Sequence, residues 1–272
     1  MINFLFWNLG KNKSISALVA NMARVHEVDV IMLAECSITP TEMHNALRDA
    51  VGRAYHYSPG RGCRKIEVFA RFPHRYIRPI FEANRLTIRH LKLPGRMDIL
   101  VAVNHFPSKV HWEERDQTME ATRLASAIRR AESMAEHSRT ILVGDLNMNP
   151  FESGMVGASG LHAMMVRSVA AKGQRVVQET EYPFFYNPMW AFFGDGTPGP
   201  PGTYYYADSK HVVHFWNMFD QVLIRPELLP AFRNERLRIL DSDGEVSLLS
   251  DNGLPSKRVA SDHLPILFAL EI

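Results

Sequence analysis

The stretch ILVGDLNMNP, residues 141–150, decides how this sequence folds. Its first half is a run of branched apolar residues, and such a run bounded by turn-forming residues predicts a strand, Thr140–Gly144, buried inside a sheet. Asp145 and Asn147 follow immediately. An acid and an amide at the end of a buried strand lie at a sheet edge, where α/β proteins bind their ligands. The stretch therefore predicts both a core strand and a polar site at its end.

Outward from this stretch, the same combination of an apolar run and polar flanks recurs along the chain. Strands are predicted at Ile2–Trp7, Val28–Ala34, Ile99–Asn104, Gln221–Arg225 and Pro265–Leu270. Helical spacing of apolar residues predicts one helix beginning near Ser14 or Ser16, and a longer charged helix over about residues 113–137. A basic region with strand character lies between the second and third of the listed strands. This alternation predicts a layered α/β architecture.

The composition is that of a globular protein. Of its 272 residues, 46% are hydrophobic, and 31 basic residues nearly balance 29 acidic ones. This excludes disorder, collagen and coiled coil, and it favours one domain over residues 1–272 because sheet-based folds often reach about 250 residues. No stretch approaches the ~18 apolar residues of a membrane span, so no membrane partner is expected. With a net charge of +2, nucleic-acid contacts would have to come from local patches.

The cysteines and the N-terminal stretch favour a cytoplasmic protein. Cys36 and Cys63 are too few for a disulfide framework and lack the spacing of a metal site, so reduced thiols are expected. The stretch MINFLFWNLGKN has no basic region before its apolar run and no small-residue cleavage site after it. A first strand is therefore expected there and not a signal peptide.

Residues 151–215 are predicted to form an irregular insert, because their periodicity is weak and their Gly and Pro content is high, above all in GDGTPGPPGTYYY, residues 194–206. Long loops of this kind are often functional. The aromatic side chains of the insert could stack on bases or sugars, or they could pack the loop onto the body, with only one or two facing a ligand.

Acids, amides and imidazoles stand at six strand ends. The residues concerned are Asn8, Glu35, Asn104 with His105, Asp145 with Asn147, Asp220, and Asp262 with His263. Taken singly, each could be a turn residue, a cap or a structural histidine. As a set, they predict one cluster at one edge of the core. Oxygen ligands without cysteine suit Mg²⁺ or Mn²⁺, and neighbouring His and Asp side chains supply proton transfer.

Several motifs resemble the endonuclease/exonuclease/phosphatase superfamily, to which DNase I and exonuclease III belong. They are FLFWNLG, IMLAE, VNHFPSK, ILVGDLNMNP, FDQVLI and SDHLPI, in the order of the family and over nearly the whole chain. The resemblance implies a four-layer αββα sandwich of two packed mixed sheets flanked by helices. It also implies a site that hydrolyses phosphoesters at the edges of both sheets.

The resemblance also implies a role for each matching residue. Glu35, Asn8 and Asp262 would hold Mg²⁺ or Mn²⁺. Asp145 would orient or deprotonate the attacking water, with Asn147 on the phosphate. His263, held by Asp220, would donate to the scissile phosphate, and His105 would be the second imidazole there. Glu67 could orient His105 or could be an exposed strand residue.

The substrate is less well determined by the sequence. Residues 61–96 carry ten basic residues against two glutamates, which predicts either a solvated face or a track for a polyanion. Lys109, Arg64 and Lys65 are candidates for binding the substrate phosphate. An intracellular nuclease acting on a nucleic-acid partner is the first interpretation, and a phosphatase or other phosphodiesterase acting on a small or lipid phosphate ester is the second. A binding module that lost catalysis is a third, disfavoured because Glu35, Asp145, Asp220 and His263 are all present.

Overall fold

Two large mixed β-sheets form the centre of the structure, a computed structural model that describes residues 1–109 and 112–272. The strands are β1 (Ile2–Asn8), β2 (Val30–Ala34), β3 (His56–Tyr57), β4 (Ile66–Ala70), β5 (Ile77–Ala83), β6 (Leu86–Leu91), β7 (Ile99–His105), β8 (Thr140–Asp145), β9 (Ala163–Met164), β10 (Gln174–Val177), β11 (Thr180–Pro183), β12 (Phe185–Tyr186), β13 (Tyr204–Tyr205), β14 (Trp216–Asn217), β15 (Asp220–Ile224), β16 (Arg238–Ile239) and β17 (Ile266–Leu270). The helices are α1 (Ser16–Val25), α2 (Pro40–Val51), α3 (Glu114–Ala135), α4 (Ser153–Val156) and α5 (Arg167–Ala170).

The first sheet has the strand order β16-β17-β1-β2-β4-β3 and the second β5-β6-β7-β8-β15-β12-β9. The strand pairs β1–β2 and β7–β8 are parallel, and the other pairs along both sheets are antiparallel except β12–β9. Two further hairpins form separate two-stranded sheets. In sequence, β10–β11 lies between β9 and β12, and β13–β14 lies between β12 and β15.

Alternate residues of the central strands face different cores, since neighbouring side chains of a strand point to opposite sides of the sheet. In β1, Phe4 and Phe6 pack between the two sheets, whereas Leu5 and Trp7 pack outward. This is why these strands are apolar along their whole length and not in alternation.

Helices cover both outer faces. Apolar residues of α1 and α2 pack on the first sheet, and those of α3 with Met155 of α4 pack on the second. A third cluster fills the space between the sheets. The predicted four-layer αββα sandwich is confirmed.

The structure adds a helix that apolar periodicity does not reveal. Helix α2 begins after Thr39, whose hydroxyl accepts a hydrogen bond from the amide of Glu42, and it ends at Gly52 with a left-handed φ of 64°. Pro40 at its first position and Gly52 at its end are ordinary helix signals. The helix is not predicted from the sequence because only Met43 and Leu47 are buried, so its apolar residues form no periodic stripe.

The insert is less irregular than the sequence predicts. Strands β9 and β12 extend the second sheet, and β12 pairs with β15 through Tyr186 and Ile224. Strands of two residues are too short to give a periodic signal. In the described ranges, no helix combines the length and the apolar character that a membrane span requires.

Candidate active site

The predicted cluster lies at one edge of the two packed sheets. Strands β1, β7 and β8 end there, β2 ends one residue before Glu35, and β15 begins there with Asp220 in register with Asp145. The segment before β17 enters at the same edge because β17 runs antiparallel to β1. The polar strand ends that the topology brings together there are Asn8, Glu35, His105, Asp145, Asn147, Asp220, Asp262 and His263.

His263 and Asp220 form a buried pair. The Nδ1 atom of His263 lies 2.7 Å from Oδ2 of Asp220, and Tyr204 packs against the imidazole with 4.6 Å between ring centroids. Although burial alone would favour the neutral ring, the charges of Asp220 and Asp145 raise the pKa of His263 to about 9. The ring is therefore protonated at neutral pH and can donate from Nε2.

Asp145 is buried and held at both oxygens. Its Oδ2 accepts a hydrogen bond from Nδ2 of Asn8 at 2.8 Å, and its Oδ1 accepts one from the backbone amide of Asn147 at 3.0 Å. Burial raises the pKa of the Asp145 carboxyl, and the nearby imidazolium of His263 opposes that rise. A carboxylate with a raised pKa is a better proton acceptor, as a general base requires.

His105 lies between two carboxylates. Its Nε2 atom is 3.6 Å from Oε1 of Glu35 and 3.6 Å from Oδ2 of Asp145. Burial, reinforced by Arg85, lowers the pKa of His105 below 6.5, so the ring is neutral at pH 7. The two site imidazoles therefore differ in charge, because only His263 has a carboxylate in hydrogen-bond contact.

Asp262 faces the site from the segment before β17. Its Oδ2 atom lies 3.2 Å from Nζ of Lys257. A side chain at Gly10 would meet it, because an added Cβ would lie 2.6 Å from Oδ1 of Asp262, and Gly10 has a φ of +54°. Glycine thus gives Asp262 its position beside the end of β1.

Two site residues adopt backbone conformations that non-glycine residues rarely take. Glu35 has a φ of 48° and Asn147 a φ of 47°. Gln117 of α3, which the sequence analysis did not identify, donates from Nε2 to the Asn147 carbonyl at 2.9 Å. Such strain persists where surrounding contacts hold the residue in place, and it is concentrated at functional sites.

A cavity of about 470 Å³ opens over the cluster. Its wall is formed by the β13–β14 hairpin and neighbouring side chains, including Tyr204, Tyr206 and Phe219. The polar residues on its floor are Asn8, Glu35, His105, Asp145, Asn147, Asp262 and His263. Three lysines line it: Lys109, Lys210 and Lys257. The sequence indicates Lys109 as a candidate, and it leaves open whether the aromatic residues of the insert face a ligand or pack the loop. Lys210, Lys257 and Phe219 are not predicted, because the sequence does not show how this hairpin and the segment before β17 fold over the site.

The oxygen donors of the site fit a hard divalent cation. Glu35 and Asp262 keep 26% and 31% of their side chains exposed beside the cavity, and Oδ1 of Asn8 accepts one hydrogen bond, from Gly10. With Asp145 and Asp220 behind them, the carboxylates outnumber the single imidazolium. Carboxylate and amide oxygens with an excess of negative charge are the donors that Mg²⁺ and Mn²⁺ prefer.

Three basic residues, Lys109, Arg64 and Lys65, are predicted to bind the substrate phosphate. Lys109 lines the cavity, pairs with Glu152 and lies 5.3 Å from the Phe219 ring centroid. Neither Arg64 nor Lys65 is among the lining residues, although Lys65 is near enough to help lower the pKa of His105.

Glu67, for which the sequence allows either a role in orienting His105 or an exposed place on the strand, contacts Tyr57. Its Oε2 atom accepts a hydrogen bond from the hydroxyl of Tyr57 at 2.6 Å. Among the described residues, the carboxylates within 4 Å of His105 are those of Glu35 and Asp145. Glu67 lies on the outer face of β4, because its strand neighbours Ile66 and Val68 face the space between the sheets.

The family model described as Endonuclease/Exonuclease/phosphatase family matches residues 5–263. The chain belongs to this family. No curated protein sequence matches it significantly.

Solved structures share the fold at low sequence identity. A family protein from Bacteroides thetaiotaomicron is 15% identical, with a TM-score of 0.59 over 99% of this chain and 97% of that one. D. rerio TDP2, complexed with a single-strand DNA product, is 15% identical, with a TM-score of 0.56 over 100% and 99%. The Neisseria 3′ phosphatase NExo, bound to a product DNA hairpin, is 12% identical, with a TM-score of 0.56 over 100% of both chains. These similarities establish the fold of the family member described here.

Proposed function

We propose that this protein is a divalent-metal-dependent phosphodiesterase that cleaves nucleic acid. The observation that carries the proposal is the buried pair of His263 and Asp220 beside Asp145, at the floor of a cavity lined by further acids and lysines. Family membership supports phosphoester hydrolysis as the reaction class.

Asp145 and His263 would share the proton transfers of the reaction. Asp145 accepts a proton from the attacking water, whose oxygen forms the new bond to phosphorus. His263 donates a proton to the leaving oxygen as the phosphorus–oxygen bond breaks. Asp220 keeps the imidazole protonated and oriented. Asn8 and the amide of Asn147 hold the Asp145 carboxylate in place for these steps.

Glu35, Asp262 and Asn8 would hold Mg²⁺ or Mn²⁺. When bound, the ion would stabilise the negative charge that develops on the phosphate oxygens. Neutral His105 would donate a hydrogen bond to the phosphate, and Asn147 would contribute its side-chain amide, whose Nδ2 also donates to the Phe106 carbonyl at 3.0 Å. Lys109 would attract the phosphate at the mouth of the cavity.

Hydrolysis of a phosphate monoester is the second candidate. The three lysines of the cavity favour it, since a terminal phosphate carries more charge than a diester. A limited cavity of about 470 Å³ would also suit a small ester.

A substrate panel separates the two candidates. Single- and double-stranded DNA, RNA, bis-p-nitrophenyl phosphate and p-nitrophenyl phosphate are each incubated with Mg²⁺, Mn²⁺ or EDTA. The proposal predicts cleavage of a polynucleotide that requires the metal. Phosphate release from monoesters, with nucleic acid left intact, would replace it by the second candidate.

A further inference from the structure

We propose a second nucleic-acid contact, for the phosphate backbone, in a groove at the sheet edge opposite the active site. The far-edge groove is lined by Arg75, Tyr76, Arg78, Lys92 and Arg96, with a volume of about 530 Å³. The proposal rests on the function proposed above and extends it from the reacting phosphate to the length of substrate that the protein engages.

The topology places the groove at the end of the sheet that is remote from the active site. Strand β7 runs from Ile99, in register with Leu91, to His105 in the active site. The groove lies at the Leu91 end, where the amide of Lys92 donates to the carbonyl of Tyr76. Seven strand residues at about 3.3 Å each separate the two ends by about 20 Å.

The charge of the groove is uncompensated. In the part of the chain that the structure describes, no carboxylate lies within 4 Å of the side chains of Arg78 or Lys92. The one acid in the groove, Asp98, is already engaged. Its carboxylate accepts hydrogen bonds from Nε2 of His90 at 2.8 Å and from Nη2 of Arg139 at 2.5 Å. The four cations of the groove, Arg75, Arg78, Lys92 and Arg96, are all exposed and form a local excess of positive charge.

The number of cations in the groove suits a strand more than a single small anion. The Arg75 guanidinium lies 4.9 Å from the Tyr76 ring centroid, and Arg96 is fixed by a 2.7 Å hydrogen bond to the Ile272 carbonyl. Arginines held along an open groove can each meet a successive phosphate, whereas a monophosphate would use one or two of them. A nucleic-acid backbone is the polyanion that also carries the phosphoester the active site would cleave.

This arrangement also divides the basic segment at residues 61–96 into separate roles. Arg89 is buried and donates to the Ser58 hydroxyl at 2.6 Å, so it contributes to the core. Arg85 donates to the His105 carbonyl at the active-site edge. Four of the ten basic residues, Arg75, Arg78, Lys92 and Arg96, form the group at the far edge. The segment is therefore not one continuous track.

Substrate length provides the test. A strand with the rise of duplex DNA, about 3.4 Å per nucleotide, needs about six nucleotides to span the roughly 20 Å between the active site and the groove. The binding of a fluorescent 30-nucleotide single-stranded DNA and of a 4-nucleotide DNA is measured by anisotropy in EDTA between 50 and 200 mM salt. The variants are R78E/K92E and the control R123E/R130E on helix α3, which changes the net charge equally.

We expect R78E/K92E to bind the 30-mer at least tenfold more weakly at about 0.1 M salt, with a slope of log K against log[salt] shallower by about 1.4. Binding of the 4-mer and hydrolysis of bis-p-nitrophenyl phosphate should stay unchanged, as should all values for R123E/R130E. In cleavage, KM for the 30-mer should rise while kcat is kept.

Three outcomes would overturn the proposal. In the first, R78E/K92E binds the 30-mer as tightly as R123E/R130E does. In the second, R78E/K92E loses as much affinity for the 4-mer as for the 30-mer. In the third, R78E/K92E no longer binds anionic lipid vesicles but still binds the 30-mer. Failure of the proposed function is distinguishable, because it would appear as absent hydrolysis in the unmodified protein, whatever the length dependence of binding.

Discussion

At the scale of single residues, the contact between Asp220 and His263 determines the charge of the imidazole. Asp220 is fully buried, and its Oδ2 atom lies 2.7 Å from Nδ1 of His263. Without that carboxylate, burial would favour the neutral ring. The proposed chemistry therefore depends on a residue that does not line the cavity.

We predict that Asp220→Asn lowers kcat by about two to four orders of magnitude, the usual contribution of a positioned general acid or base. KM should change little, because Asp220 would not contact substrate. Steady-state kinetics with bis-p-nitrophenyl phosphate measure the effect. The matched control is Asp195→Asn, an exposed acid outside the cavity, which should retain activity. A kcat for Asp220→Asn within tenfold of that of the unmodified protein would contradict the assigned role.

Asp98 is the centre of a separate cluster with His90 and His137. The three side chains lie close enough together to hold a metal ion. The guanidinium of Arg139, however, already pairs with Asp98. The backbone amide of Arg139 also donates a hydrogen bond to Nδ1 of His137 at 3.2 Å. Although burial alone would raise it, the hydrogen bonds from His90 and Arg139 lower the pKa of Asp98 to about 2. The cluster is therefore an ion-pair network.

The pKa of Asp98 predicts a pH-dependent contribution to stability. The folded-state pKa lies below the ordinary 3.8, so the contribution is complete above pH 3.8 and is lost as the pH falls through about 2. Asp98→Asn should lower the free energy of unfolding at pH 7 by about 1 kcal/mol or less, because the pair is partly exposed. Urea unfolding at several pH values measures the difference, which should shrink below about pH 4. A difference that grows on acidification would show that the sign is wrong.

At the scale of elements, a buried arginine joins helix α3, strand β15 and the insert. Arg225 donates from Nε to Oε1 of Glu132 at 2.8 Å and from Nη1 to the Phe184 carbonyl at 3.0 Å. Its guanidinium carbon lies 3.9 Å from the Phe185 ring centroid. The contacts fix the insert where its strand β12 meets the second sheet.

Removing this arginine should be costly. Arg225→Met leaves Glu132 buried without its partner, which is expected to lower the free energy of unfolding by about 3–5 kcal/mol. Chemical denaturation measures the loss. Arg233→Met removes an exposed arginine paired with Glu271 and should cost at most about 1 kcal/mol. Equal losses for the two variants would contradict the role given to burial.

The sequence predicts those elements whose burial leaves a repeating pattern. The buried strands β1, β2, β7, β8, β15 and β17 and the long helix α3 all lie within two residues of their predicted ends. Helix α2 buries too few residues to show a periodic stripe, and its end signals alone mark it. The short strands of the insert are fixed by pairing with β15 and with each other, so they depend on contacts distant in sequence.

At the scale of the whole molecule, the site could be predicted because the strand order gathers strand ends. Asn8 and Asp145 lie 137 residues apart in sequence, yet their side chains are hydrogen-bonded. The hairpin wall with Lys210 could not be predicted, because no periodic pattern indicates where a long loop folds back. The positions of the charges in the basic segment could not be predicted either. Because β5, β6 and β7 are antiparallel, these charges lie at opposite ends of the strands.

The excess of carboxylates at the site predicts that a divalent ion stabilises the folded protein. At a Mg²⁺ concentration 100 times its Kd, the gain would be about 2.7 kcal/mol, or roughly 5–10 °C in Tm for a chain of this size. Thermal unfolding with Mg²⁺ and with EDTA measures it. Glu35→Gln should reduce the shift, and the exposed Glu181→Gln should not. A Tm that Mg²⁺ leaves unchanged at millimolar concentration would contradict the proposed metal site.

The most direct test of the central claim is the turnover of bis-p-nitrophenyl phosphate by the unmodified protein and by His263→Ala, each with Mg²⁺ and with EDTA. We expect hydrolysis that requires the metal and that falls by at least a hundredfold in the variant, while the far-UV circular dichroism of the variant is unchanged. Hydrolysis at nearly equal rates by both proteins would show that the chemistry does not take place at His263.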